Sequence, residues 1–224
     1  MPEPDEPDYP PPPRGEPHWP VQLTVLVAIV LQWLLPNRLI VVGTPWILPG
    51  LEAGLLVALF IASPQRLEAP HSVRRLLTLT LTAVVSVANG ISLVLLAHLL
   101  LNKNLSSGQQ AHELIIGGVE IWLTNVLIFS LWYWEVDRGG PGIRAAGVDD
   151  APDFLFPQMT ATDLCPTWRP QFADYLYVSL TNAAAFSPTD TMPLSVQAKM
   201  IMGLQSLISL VTIGLVVSRA VNIL

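Results

Sequence analysis

The sequence predicts an all-α protein: a polytopic transmembrane helical bundle of about five spans, with a re-entrant helix ahead of the last one. Three observations predict it. Hydrophobic residues fill 51% of the 224 positions and charged residues only 12%, about half the ~25% of soluble domains. The charges cluster, leaving apolar runs at residues 21–35, 46–62, 73–101, 114–134 and 196–224, where about 20 residues suffice to cross a ~30 Å hydrocarbon core. Between the fourth and fifth runs lies a short amphipathic stretch, Asp174 to Thr181, then a polar turn containing Pro188.

Residues 1–18 form a Pro-rich acidic tail, which cannot bury a core and is expected to be extended and solvated. Residues 19–134 form a four-helix membrane domain. Pro20 suits the first turn of its first helix, where the missing N–H costs nothing, and Pro36 ends that helix. The first two runs are short and bounded by proline, so the sequence leaves open whether both cross. Trp19, Trp33, Trp46, Trp132 and Trp134 fall near predicted span ends, where an amphipathic ring prefers the headgroup level. Asn89, Asn125, Thr78, Thr80, Thr82 and Ser86 are expected to hydrogen-bond between helices. Residues 135–171 read as a soluble or interfacial loop, within which Pro152-Asp-Phe-Leu-Phe-Pro157 is apolar enough to pack back on the membrane domain. Residues 172–224 comprise the hairpin and the last helix.

Composition excludes several functions. The net charge of −6 comes mostly from loops and the tail, and no basic stripe with interleaved aromatics exists to hold nucleic acid. One cysteine, Cys165, rules out an intrachain disulfide. No cleavable leader is apparent, so the first span is expected to be retained. Neither a cofactor, a metal site nor an enzymatic activity is expected. His112-Glu113 begins like a zinc-protease helix, but Ile116 stands where the second histidine belongs. The implied partner is the lipid bilayer, and the implied location the plasma membrane.

Alternating the spans groups costly polar residues at one end of the bundle: Glu52, His98, Glu113, Glu120, Arg219 and Asn222. Intramembrane charges pair or line water, so Glu120 and Arg219 are expected to form an ion pair, serving either to lock helices or to line an ion path. At the opposite end Glu135, Asp137 and Arg138 close the fourth run near Arg74 and Arg75, and interfacial pairing is expected there. Assuming five crossings, eight of the 11 cationic residues lie on the side of the tail and the fourth loop. That bias puts this side in the cytoplasm.

The last third of the chain carries a further pattern. Thr181 ends an aromatic-rich amphipathic helix, Asp190-Thr-Met-Pro193 follows, and Lys199 stands six residues past the proline. These features resemble the pore-loop and inner-helix unit of the potassium-channel superfamily over about 50 of the 224 residues. The resemblance implies that Thr181, Asn182, Ser187, Thr189 and Asp190 line the mouth of a conduit, Asp190 as a charge ring. It further implies a homo-oligomer, since one loop supplies only one side of a pore, and a monovalent ion as permeant. The segment from Asn182 to Thr189 replaces the Gly-Tyr-Gly filter with a longer, glycine-free stretch, which argues against potassium selectivity. Such loops enter from the outer face, whereas the charge bias puts this one inside. Either the first two helices insert as one hairpin, or the loop is inverted, or the likeness is only ancestral. The whole chain also resembles an uncharacterised, largely actinobacterial family of integral membrane proteins, through Ile121-Trp-Leu-Thr-Asn-Val126, Leu131-Trp-Tyr-Trp-Glu-Val-Asp-Arg-Gly-Gly-Pro141, Pro152-Asp-Phe-Leu-Phe-Pro-Gln-Met159 and residues 181–194. Two functions stand at this point: a channel-like or transport protein, and a non-conducting membrane scaffold or accessory subunit that keeps the hairpin for packing.

Overall fold

The computed structural model describes residues 19–36, 39, 50, 53–54, 57, 71–101, 108–145, 151–161, 163–166, 168–185 and 190–221. The run at 46–62, with Trp46 and Glu52, lies largely outside them. Among the described residues three helices are long and apolar enough to cross a membrane: α2 (His71–Leu101), α3 (Gly108–Val136) and α7 (Val196–Val221). A shorter apolar helix, α1 (Trp19–Leu34), stands beside them. Its 16 residues extend about 24 Å. Proline at position 36 stops it there.

α3 is the most buried of the long helices and packs against α1, α2 and α7. Cross-helix contacts fix the directions. Arg75 of α2 meets Glu135 of α3 at 3.9 Å, Trp132 Nε1 donates to Ser86 Oγ at 3.0 Å, and Asn89 Nδ2 donates to the Ile121 carbonyl at 3.3 Å. α2 and α3 therefore run antiparallel. Asn125 Nδ2 donates to Ser209 Oγ at 3.0 Å, and Gly118 faces Val216, so α7 is antiparallel to α3 as well. Gly117 and Gly118 permit close approach on two sides, since a Cβ at Gly117 would fall 2.5 Å from Leu39 Cδ1. Leu39 is itself pinned at that end by Ser92 Oγ, which donates to its carbonyl at 2.9 Å.

The chain between α3 and α7 folds onto one end of this bundle. A 3-10 turn, Asp137–Gly139, follows α3, with Arg138, Gly139 and Gly140 at φ 51°, 72° and 101°. Three successive left-handed residues reverse the chain, and two of them are glycine because a Cβ is disfavoured there. Short helices α4 (Pro141–Ala145) and α5 (Pro157–Thr160) flank β1 (Phe154–Leu155). β1 pairs antiparallel with β2 (Met192–Pro193), Phe154 opposite Pro193 and Leu155 opposite Met192. Pro193 is tolerated because this two-stranded ribbon is all edge. Between them α6 (Phe172–Ala185) leans on α3 and α7.

Apolar side chains form a cluster at each end. The larger gathers Val25, Leu81, Tyr133, Trp134, Phe154, Phe156, Phe172 and Tyr175, and the smaller Leu35, Leu39, Leu93, Leu96, Leu114 and Ile121. Trp134 departs from the belt expectation: it is 3% exposed, set edge-on to Phe172 and under the Arg144 guanidinium. Trp19 and Trp33 are exposed as a belt requires.

Candidate functional site

Two polar centres hold α6 in place. The first is Asp137, completely buried where α3 ends. Its Oδ1 accepts the backbone N–H of Asp153 at 2.9 Å and of Phe154 at 3.4 Å, and its Oδ2 accepts the Tyr175 hydroxyl at 2.6 Å. The Arg138 guanidinium stands 4.0 Å away. One carboxylate thus ties β1 and α6 to α3, and its buried charge is offset by three hydrogen bonds and the nearby guanidinium. Around it Asp153 Oδ2 accepts Arg138 N–H at 2.9 Å, and Arg144 Nη1 donates to the Trp134 and Asp137 carbonyls at 2.8 and 2.7 Å. Arg144 also lies over the Trp134 and Tyr175 rings, 5.8 and 5.3 Å from their centroids. The sequence placed Glu135, Asp137, Arg138 and Arg75 together as interfacial pairs. The pairs Arg75–Glu135 and Arg138–Asp137 form, while the depth of Asp137 went unforeseen. Its signal was the aromatic run immediately before it.

The second centre lies deeper, where α3, α6 and α7 meet. Tyr175, Ser179 and Asn182 share one face of α6 at helical spacing. Ser179 Oγ donates to the Val126 carbonyl at 2.6 Å, about 15 Å along α3 from its end. Gln205 of α7, fully buried, donates through Nε2 to Ser179 Oγ at 2.7 Å and to the Ser179 carbonyl at 3.0 Å. Its Oε1 accepts the Tyr133 hydroxyl and, at 2.8 Å, Asn182 Nδ2. Asn182 Nδ2 also reaches the Met202 carbonyl at 3.0 Å, and Asn182 Oδ1 accepts Ser206 Oγ–H at 3.0 Å. The side-chain amides of both Asn182 and Gln205 thus bond through their nitrogen and their oxygen. Sequence reasoning missed Tyr133, Ser179, Gln205 and Ser206, because pairing across three helices leaves no local pattern.

Among the described residues, those expected at a pore mouth stand in different settings. Thr181 Oγ1 lies 2.9 Å from the Tyr177 carbonyl and 3.1 Å from that of Val178, within its own helix. Asn182 is buried in the network just described. Asp190 and Lys199 are exposed, and Pro193 sits in the ribbon. Ser187 and Thr189 lie outside the described residues.

The polar group at the far end is only partly assembled. His98 and Glu113 are exposed, and contacts place both near the end of the bundle where α7 finishes. Glu52 and Asn222 lie outside the described residues. The expected Glu120–Arg219 ion pair is not formed: Glu120 Oε2 and Arg219 Nε are both buried without a hydrogen-bond partner. The register explains it. Residues 118 and 216 face each other, as do 125 and 209. Arg219 therefore falls level with Ile115, five residues and about 7.5 Å short of Glu120. Compared with family models, curated proteins and solved structures, the chain gives no match to any of them.

Proposed function

We propose that the chain is a multi-pass plasma-membrane protein in which α6 and the segment returning to β2 form a re-entrant hairpin, used as a packing element of a non-conducting scaffold or accessory subunit. The observation that carries this reading is the Tyr133–Ser179–Asn182–Gln205–Ser206 network. α6 is 14 residues long, about 21 Å, too short to span a ~30 Å core. Its start is held by Asp137 and the chain is back beside Phe154 at Pro193, so both ends of the hairpin share one face. Of the residues that a conducting loop would turn toward water, Asn182 is instead used between helices, and the exposed side of α6 carries Tyr177 and Leu180.

A channel-like homo-oligomer is the second reading, favoured by the exposure of Asp190 and Lys199 beside the returning segment. Flux of Na+ and K+ through liposomes containing the purified protein separates the two. The scaffold predicts flux no greater than in empty liposomes, and Asp190→Asn without effect on it. A flux that Asp190→Asn alters would establish the channel. The scaffold also predicts that Asn182→Leu, which leaves Ser206 Oγ without its acceptor and removes one of the two donors to Gln205 Oε1, lowers stability by about 1–3 kcal/mol.

A further inference from the structure

Oxygen atoms without partners are concentrated at mid-span on α3. Glu120 Oε2, Thr124 Oγ1 and Asn125 Oδ1 fall within six consecutive residues, and Asn89 Oδ1 of α2 joins them. Asn89, Thr124 and Asn125 are 3%, 0% and 1% exposed. One hydrogen bond fixes the position of Asn89: its Nδ2 donates to the Ile121 carbonyl at 3.3 Å. A helical carbonyl points into the following turn, so the oxygen of residue 121 lies beneath the side chains of residues 124 and 125. The Asn89 amide is thereby delivered beside Thr124 and Asn125. Glu120 stands one turn back on the stripe of Thr124.

The orphaned groups share a chemical sense. In Asn89 and Asn125 the amide nitrogen is committed, to Ile121 and to Ser209, and the oxygen is left over. Thr82 and Thr212 each donate back to the carbonyl four residues earlier, at 2.8 Å in both cases. Thr124 has no such bond. Trp122 Nε1, an unpartnered donor on this stretch, is about 160° around α3 from Glu120 and Thr124, and Asn125 is about 140° from Glu120 and 60° from Trp122. Buried polar atoms are almost always satisfied, and a membrane bundle cannot borrow bulk solvent to do it.

We propose that Asn89, Glu120 and Thr124 form an intramembrane site for a hard monovalent cation of the Na+ class. An amide oxygen, a hydroxyl and one carboxylate make an all-oxygen donor set, which suits a hard ion, whereas copper or zinc prefers imidazole or thiolate. A single carboxylate neutralises one unit of charge. A divalent ion would leave an excess charge in the low-dielectric interior, and water would leave the carboxylate unbalanced. The site is independent of whether the hairpin conducts.

The test is binding of radioactive Na+ to the full-length protein purified in Na+-free detergent, alongside thermal stability in NaCl and in choline chloride. Saturable binding is expected, displaced by unlabelled Na+ and not by choline. The melting temperature is expected to rise by about 3–6 °C at ten times the dissociation constant. Thr124→Val and Glu120→Gln should each weaken binding about tenfold or more while leaving the melting temperature in choline unchanged or higher, which a merely structural role would lower. Absence of displaceable Na+ in the unaltered protein, with equal melting temperatures in the two salts, would overturn the proposal and assign the oxygens to water.

Discussion

Asp137 shows how much one buried carboxylate can organise. Removing its side chain takes the acceptor from the Tyr175 hydroxyl and two backbone N–H groups and the counter-charge from Arg138 at once. Asp137→Ala is expected to lower stability by about 3–5 kcal/mol, from three donors losing their acceptor at ~1–3 kcal/mol each, read from denaturation in detergent. A second residue-scale prediction concerns the turn beside it. Gly140 has φ 101°, and a Cβ there would come 3.1 Å from the Glu135 carbonyl oxygen. Gly140→Ala should cost about 1–3 kcal/mol by strain alone, with the same denaturation measurement. The sequence carries a local signature of this left-handed turn in the pair Gly139-Gly140. It did not disclose that Asp137 and Trp134 are buried. That depends on Phe154, Phe172 and Tyr175 arriving from distant parts of the chain, and a tryptophan near a span end is equally compatible with belt and core.

Among the elements, those with a strong period or a cap were legible. The three long helices follow from sustained apolar runs. For the start of α7 the sequence offers Thr191 or Ser195 as the cap, and it is Ser195 whose Oγ accepts the Ala198 N–H at 3.1 Å. α6 begins with the reverse contact, the third helical residue reaching back: Asp174 Oδ2 accepts the Gln171 N–H at 2.7 Å. Ser195→Ala should therefore destabilise by about 1 kcal/mol, and Ser195→Asp should restore most of it, as the melting temperatures of the pair would show. The β1–β2 ribbon was invisible, because two-residue strands are too short to display alternation. Helix register was equally hidden. The sequence placed Glu120 and Arg219 at one end of the bundle, but an offset of about 7.5 Å decides pairing and is set by Gly118 against Val216 and Asn125 against Ser209.

At the scale of the whole molecule, the distribution of charge can be read against the contacts. The start of α2, the end of α3, the start of α6 and the start of α7 occupy one end of the bundle, as the Arg75–Glu135, Tyr175–Asp137 and Phe154–Pro193 contacts require. Arg75, Arg138, Arg144, Arg169 and Lys199 belong to this end, whereas among the described residues Arg219 belongs to the other. Cationic residues are retained on the cytoplasmic side of a membrane, so this end is expected to face the cytoplasm, and the hairpin to enter from within. That orientation is the reverse of a potassium-channel pore loop and agrees with a hairpin used for packing. Cys165, half-buried between α5 and α6 with its N–H on the Ala161 carbonyl at 3.0 Å, lies on the same side. A membrane-impermeant maleimide should therefore label it in permeabilised cells and leave it untouched in intact ones. Labelling of intact cells would put the hairpin on the outer face, invert the charge argument, and return the channel-like homo-oligomer to first place.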